Sequence, residues 1–304
     1  MAIGNPTAFL TPEQRALTRR SLLTGGLGLA SFAGLTLPTF AGAMEAASDL
    51  VTTSYRLSPP GWPKGQRLSI TVIADLHAGG PNMGRDRIRQ VIDAANELGS
   101  DLTVVLGDYF ATHHFVTERV PHSVWAAELG RLYAPLGVFS ILGNHDWWYD
   151  VDGVRRALDE ARVPMMQNDA VLLGPRGRRF WLAGLGDQIA HRLGRNKYKG
   201  VDNLPGTLAR IRTDDPVILL VHEPDIFTEV SARVALTLAG HTHGGQIRLP
   251  MAPAMWALSS RSARFAYGHI VENDRHLIVS GGLGCSIVPM RFGVPPEIVH
   301  IELG

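Results

Sequence analysis

The sequence predicts an α/β (α+β) fold in which two packed mixed sheets carry helices on their outer faces. Three observations predict it. Short β-rich runs alternate with helical-period runs through the first half of the chain, and the second half is strand-rich. The composition, 45% hydrophobic and 19% charged, supplies a sizeable core with no long low-complexity stretch. A chain of 304 residues can hold one large domain or two small ones. No internal repeat is visible, and one domain is the simpler arrangement.

In chain order, residues 44–66, with Ser58-Pro59-Pro60-Gly61-Trp62-Pro63, read as a linker into a domain over 67–304. Leu68 to Ala74 is a β-rich run ending at Asp75. Arg85 to Leu98 places Ile88, Val91, Ile92, Ala95 and Leu98 at helical spacing, with Gly99 to end the helix. Leu102 to Leu106 is a buried strand ending at Gly107-Asp108. A helix follows over Ser123 to Tyr133, then a strand over Gly137 to Leu142 ending at Gly143-Asn144-His145-Asp146. Val151 to Arg162 returns to helix. Strands are expected at Ala170–Leu173, Phe180–Leu185, Val217–Val221, Val234–Ala239, Gln246–Leu249, Leu277–Ser280 and Glu297–Ile301. Residues 186–210 are less regular, with a charged insert at His191-Arg192-Leu193-Gly194-Arg195-Asn196-Lys197.

The formal charge is +1 and the basic residues are scattered, so there is no electrostatic footprint for nucleic acid. Cys285 is the lone cysteine, which excludes an intramolecular disulfide and a cysteine-based zinc site. Histidine is the unusual count, at twelve. A metal site here is built from His, Asp, Asn and Glu.

Residues 1–43 read as an address. Arg19-Arg20 directly precedes an uncharged stretch from Leu22 to about Phe40, rich in Gly, Ala and Leu, and Ala41-Gly42-Ala43 offers a small-x-small cleavage site. The paired arginines resemble the twin-arginine class. The implied partner is the twin-arginine export machinery, and the implied location is the periplasm or cell envelope. If uncleaved, the same stretch is long enough to anchor the chain in a membrane. Cleavage removes Arg15, Arg19, Arg20 and Glu13, three cations and one anion, and turns the +1 chain slightly acidic.

Five polar clusters share one position: each directly follows an expected buried strand. They are Asp75-Leu76-His77, Gly107-Asp108, Gly143-Asn144-His145-Asp146, His222, and Gly240-His241-Thr242-His243. Where strands run alike, their ends converge on one edge of the sheet, and ligands bind there. Carboxylates, imidazoles and an amide oxygen without thiolate suit Mn²⁺, Fe or Zn²⁺. In an extended segment, Asp-x-His and His-x-His each put two side chains on one side. Singly, each cluster is commonplace; all of them in this order, each closing a strand, is not.

That order resembles the calcineurin-like metallophosphoesterase superfamily, from about Leu68 to Ile301. Gly240-His241-Thr242-His243-Gly244-Gly245-Gln246 with Leu249-Pro250 resembles an exported or membrane-associated bacterial branch, described as phosphodiesterases or phosphohydrolases. So does the ending Gly282-Leu283-Gly284, Pro289, Arg291-Phe292-Gly293-Val294-Pro295-Pro296-Glu297. The resemblance implies a four-layer α-β-β-α sandwich and two divalent metal ions. Asp75, His77 and His243 would hold the first ion; Asn144, His222 and His241 the second; Asp108 would bridge them. A water between such ions loses a proton readily and attacks phosphorus. His145 would stabilise charge on the phosphoryl group or protonate the leaving oxygen. The implied substrate is a small-molecule or lipid phosphoester. Two alternatives accompany this reading: a pyrophosphatase of nucleotide-linked lipid precursors, and a catalytically silent metal-binding envelope protein.

The sequence departs from the superfamily in two places. An acid that often steadies the catalytic histidine, three residues after the Gly-Asp aspartate, is here Ala111; Asp146, next to His145 in sequence, is a candidate for that part, though adjacency does not prove contact. Tyr109-Phe110-Ala111-Thr112 replaces the Arg-Gly of serine/threonine phosphatases, which argues against that activity. His113 and His114 are expected in the loop beside the site, either touching a phosphate or substrate or standing as solvent-exposed loop histidines, and Arg291 is a candidate contact for a substrate anion. Trp147, Trp148 and Tyr149 are candidates for an apolar wall. His191, His269, His276 and His300 read as structural, and Glu223-Pro224-Asp225 as the start of a helix.

Overall fold

Along the central strands of both sheets, side chains alternate between two buried cores. In strand β2 (Leu68–Ile73), Leu68, Ile70 and Val72 face one core and Ile73 faces another. The computed structural model describes residues 49–248 and 264–304; the segment 1–43, with its twin-arginine pattern, lies outside them, as do Leu249 and Pro250.

The first sheet runs β1 (Val51–Leu57), β13 (Glu297–Leu303), β2, β3 (Leu102–Val105), β4 (Val138–Ser140). The second runs β11 (Gly268–Glu272), β12 (Arg275–Val279), β10 (Val234–Ala239), β9 (Val217–Leu220), β6 (Phe180–Gly184), β5 (Asp169–Leu173). Both are mixed. β2, β3 and β4 are parallel, and so are β6, β9, β10 and β12, whereas β13–β2, β5–β6 and β11–β12 are antiparallel. Between the sheets lies a core that includes Ile70, Val72, Val104, Leu182, Ile218, Leu220, Leu236, Leu238 and Val299. This is two sheets packed face to face.

Helices cover the outer faces. On the first sheet, α1 (Arg85–Glu97), α2 (His122–Leu129) and α4 (Val151–Glu160) bury Ile88, Val91, Ile92, Trp125, Leu129, Val154 and Leu158 against Ile73 and Val105. A short helix, α3 (Asn144–Tyr149), precedes α4. On the second sheet, the short helix α5 (Leu204–Leu208) and a 3-10 turn (Pro224–Thr228) bury Leu204, Ile226 and Phe227 against Leu219 and Val279. The order helices, sheet, sheet, helices is the expected four-layer sandwich.

Three expectations change. The segment 44–66 is not simply a linker, because β1 within it pairs in parallel with β13, Val51 opposite Glu297 through Leu57 opposite Leu303. The exposed residues of β1 are Thr52, Ser54 and Arg56, and this edge position needs no hydrophobic run. Of the strand expected at Gln246–Leu249, the described residues 246–248 make one bridge, Ile247 to Phe292, after a tight turn at His243–Gly245. The charged insert is a hairpin, β7 (His191–Gly194) with β8 (Lys197–Lys199). No helix among the described residues is long and apolar enough to cross a membrane.

Candidate metal and active site

Every cluster lies at the carboxyl end of a parallel strand: Asp75 and His77 after β2, Asp108 after β3, Asn144 and His145 after β4, His222 after β9, and His241 and His243 after β10. Asp75, His77, Asp108, Asn144, His222 and His243 are each at most 2% exposed, and His241 is 9% exposed. The Asp-x-His and His-x-His pairs converge, but not as extended chain. Asp75, His77, Asp108, His241 and His243 all have φ between +41° and +70°. Left-handed backbone at non-glycine residues costs about 1–3 kcal/mol each and clusters where function over-determines the geometry. Each chain therefore curls back over its strand end and aims side chains inward.

The inward atoms are close. Nε2 of His77 lies 3.1 Å from Nε2 of His243, and Oδ1 of Asp75 lies 3.7 Å from the same His243 nitrogen. On the other side, Oδ1 of Asn144 is 3.1 Å from His222 Nε2 and 2.8 Å from His241 Nδ1. Between the two groups, Oδ2 of Asp108 is 3.5 Å from His77 Nε2 and 3.3 Å from His222 Nε2. Asp75, His77 and His243 offer ligand atoms within 4.8 Å of one another, as do Asp75, Asp108 and His222. His222, Glu223 and His241 do so as well, which adds Glu223, expected only to start a helix.

Glycine makes this crowding possible at two points. A Cβ on Gly143 would collide with Oδ1 of Asp108 and the His222 ring. Gly282, at φ +68°, brings backbone so close that a Cβ would sit 2.7 Å from that of Asp75.

Among the protein groups alone, burial drives His77 and His241 down to about 3, against the pull of Asp108, and pushes His243 well down too. Burial raises Asp75 to about 7, with His222 opposing and Asp108 reinforcing. His222 and Asp108 go the other way. Burial opposes both charges, but the carboxylate lifts the imidazole well above its usual value and the imidazole holds the carboxylate well below its own. Neutral imidazoles turned nitrogen to nitrogen, around a carboxylate that stays ionised, form a set richer in lone pairs than in protons. Such oxygen and nitrogen donors fit divalent Mn, Fe or Zn. Buried His/Asp clusters of this kind are consistent with a dimetal site.

His145 is partly exposed, at the open side of the cluster. Asp146 does not orient it. That carboxylate accepts from the backbone N–H groups of Asp108, Tyr109 and Gly143 at 2.8–2.9 Å, tying two strand-end loops together. The partners of His145 are two hydroxyls unmarked by any motif: Thr112 Oγ1 at 2.5 Å from Nδ1, and Ser286 Oγ at 3.2 Å from Nε2. Thr112 is one residue beyond Ala111. Ser286 is placed by Gln246, whose Oε1 accepts from its N–H while Nε2 donates to the carbonyls of Val288 and Met290.

Arg291 is corrected from a substrate contact to a brace. It is 5% exposed and donates to the carbonyls of Gly281 and Gly284, with Nη2 3.1 Å from Nδ1 of His243. His113 lines a cleft of about 520 Å³ with Phe110, Thr112, Arg119, His122 and Tyr149, while His114 is exposed. The aromatic wall divides: Trp147 packs against the helical core, whereas Trp148 and Tyr149 pack beside His145, with ring centroids 5.3 and 6.0 Å away. His269 pairs with His276 at 3.0 Å, away from the site, and His191 packs on Trp147. Beside His222, burial and the charge of Glu223 push the Asp187 carboxyl well up, and burial raises Glu223 too.

The chain is 29% identical over 259 residues to an uncharacterized metallophosphoesterase of Aquifex aeolicus, covering 82% of this chain and 90% of the relative. It is 29% identical over 296 residues to the uncharacterized metallophosphoesterase YkuE of Bacillus subtilis, covering 95% and 98%. A transmembrane protein with metallophosphoesterase domain from Danio rerio is 29% identical over 244 residues, 78% of this chain; that match spans only 53% of the longer fish protein. Among solved structures, a 5'-nucleotidase precursor from Thermus thermophilus aligns with a TM-score of 0.44 at 13% identity, over 71% of this chain and 49% of that one. The calcineurin-like phosphoesterase family model matches residues 68–245, which carry every cluster from Asp75 to His243. The chain therefore belongs to the calcineurin-like phosphoesterase family, a family of dinuclear metal-dependent hydrolases.

Proposed function

We propose that the protein hydrolyses a phosphodiester or phosphomonoester, of a small molecule or a lipid, in the bacterial envelope. One observation carries the chemistry: Oδ2 of Asp108 lies between His77 and His222, at 3.5 and 3.3 Å, with the remaining site residues grouped on either side. Asp75, His77 and His243 would hold one divalent ion, Asn144, His222 and His241 a second, and Asp108 both. When bound, the ions supply Lewis-acid polarisation of the phosphoryl oxygens and an acidified water as nucleophile.

The chain's own groups do the rest. Asp108 turns Oδ2 toward both sides, while its Oδ1 accepts the His145 backbone N–H at 2.8 Å, which registers the catalytic helix against the metal ligands. Thr112 holds His145 at Nδ1, leaving Nε2 on the open side to donate to a phosphoryl or leaving oxygen. The Ser286 hydroxyl at 3.2 Å from Nε2 marks where such an oxygen is received. Export rests on Arg19-Arg20, the uncharged stretch and Ala41-Gly42-Ala43. It follows that the substrate is met outside the cytoplasm and that the folded protein carries its metals across.

Hydrolysis of bis-p-nitrophenyl phosphate with added Mn²⁺ tests the reading. Turnover by the wild type and its loss in Asp108→Ala, with an unchanged circular dichroism spectrum, are expected. Undiminished turnover in Asp108→Ala would reject the site.

A further inference from the structure

The hairpin β7–β8 is a basic feature beside the site that the hydrolytic reading leaves unused. Between Asp187 and Asp202 the chain carries Arg192, Arg195, Lys197 and Lys199 and no carboxylate. Register sets Arg192 directly across from Tyr198, so both side chains share one face of the hairpin. That face packs on Trp148, in the short helix that begins with Asn144 and His145. The Arg192 guanidinium carbon lies 3.6 Å over the Trp148 ring, and Tyr198 stacks on the same indole at 5.7 Å and 19°. Trp148 is itself fixed, its Nε1 donating to the carbonyl of Ile189 at 2.9 Å. The Tyr149 ring lies 5.7 Å from the same guanidinium.

A guanidinium stacked by its face keeps its edge N–H donors free, and a planar fork suits a phosphate or carboxylate. Arg192 is exposed and has no carboxylate partner among the described residues. It is also within electrostatic reach of His145, whose ring centroid is 5.3 Å from that of Trp148. A cation on a long flexible stem would normally spread its charge through solvent. Here two aromatic rings and a cross-strand neighbour hold it on the edge of the reaction centre.

We propose that Arg192, held over Trp148, is a subsite for a second anionic group of the substrate. The favoured substrates are then phosphate esters bearing a further phosphate or carboxylate on one arm, rather than singly charged diesters. This deepens the proposed hydrolysis and rests on it. Arg195, Lys197 and Lys199 on the same hairpin add attraction for a polyanionic arm without a defined contact.

A matched pair of esters tests the subsite: thymidine 5'-(p-nitrophenyl phosphate), and the same ester carrying a 3'-phosphate. Both have one scissile p-nitrophenyl phosphodiester, and they differ only in the second anion. With Mn²⁺, wild type is expected to prefer the 3'-phosphorylated ester in kcat/KM by on the order of tenfold, mostly through KM. Arg192→Gln should abolish that preference, and Arg192→Lys should keep part of it. An equal preference in wild type and Arg192→Gln would overturn the subsite. Absence of turnover on either ester by wild type would instead count against the hydrolytic reading. The subsite then answers to binding of inorganic pyrophosphate to the Mn²⁺-treated protein by calorimetry. Binding weakened about tenfold in Arg192→Gln supports it, and equal binding rejects it.

Discussion

Replacing Thr112 by Val removes one oxygen, keeps the branched shape and asks what orients His145. In the native geometry the imidazole has two polar partners, Thr112 Oγ1 at Nδ1 and Ser286 Oγ at Nε2. Its ring is otherwise confined by Trp148 and Tyr149. Valine deletes the Nδ1 partner and leaves the packing, so the ring keeps its pocket but loses the bond that fixes its flip and tautomer. One such hydrogen bond is worth about 0.5–1.5 kcal/mol net, which translates to a loss of roughly two- to thirteenfold in rate. The loss belongs in kcat, because the Thr112 hydroxyl is bonded to His145 and not to a metal ligand. The assay is steady-state hydrolysis of bis-p-nitrophenyl phosphate with Mn²⁺ by wild type, Thr112→Val and Thr112→Ser. Serine restores the hydroxyl and should recover most of kcat. Full kcat in Thr112→Val, or an equal loss in the valine and serine variants, would refute the claim that this hydroxyl substitutes for the missing acid at Ala111.

Other outcomes follow from the same geometry. Gly143→Ala should cut activity on the order of a hundredfold with secondary structure retained, since a Cβ there displaces Asp108 and His222; wild-type turnover would contradict the close approach. Arg291→Met should lower the urea unfolding free energy by about 3 kcal/mol, by stranding the buried carbonyls of Gly281 and Gly284. A change of under about 0.5 kcal/mol would show that Arg291 is no brace. Glu128, buried on α2, would be raised by burial, but Arg89, Arg131 and Arg85 hold it down at about 2. A carboxyl lowered on folding stabilises above its unfolded value, near 4.5, and that stability is lost as pH falls towards 2. The arginine ends are 44–61% exposed, so solvent screening reduces the effect to about 1–2 kcal/mol. Urea unfolding of Glu128→Gln should show that deficit at pH 7 and a smaller one at pH 3; equal deficits would remove the ion-pair explanation.

The central strands and the ligand clusters were legible because they depend on local pattern. Leu68–Ile73 and Leu102–Val105 are continuous apolar runs, and each ends where its motif begins. Parallel order then brings the ends together, so residues from Asp75 to His243 could be grouped before any geometry was known. What escaped has weaker or longer-range causes. β1 is half polar and becomes a strand only because β13, more than two hundred residues later, offers it an edge. The hairpin β7–β8 is fully exposed and carries no hydrophobic alternation. Thr112 and Ser286 are ordinary hydroxyls whose role appears only when separate loops meet at His145. Arg291 looked like an anion contact because charge is visible in sequence and burial is not. Asp146 adjoins His145 in sequence, yet helix geometry turns its carboxylate toward backbone N–H groups. The Asp-x-His and His-x-His pairs were expected to share a side of an extended chain. They share a site instead through left-handed turns.

The most direct measurement is anomalous diffraction from crystals of the protein grown with Mn²⁺. Two peaks roughly 3.5–4 Å apart, with Asp108 between them, are expected. One group should be ligated by Asp75, His77 and His243, and the other by Asn144, His222 and His241. Well-ordered crystals with no peak at this site, or with peaks away from Asp108, would contradict the account.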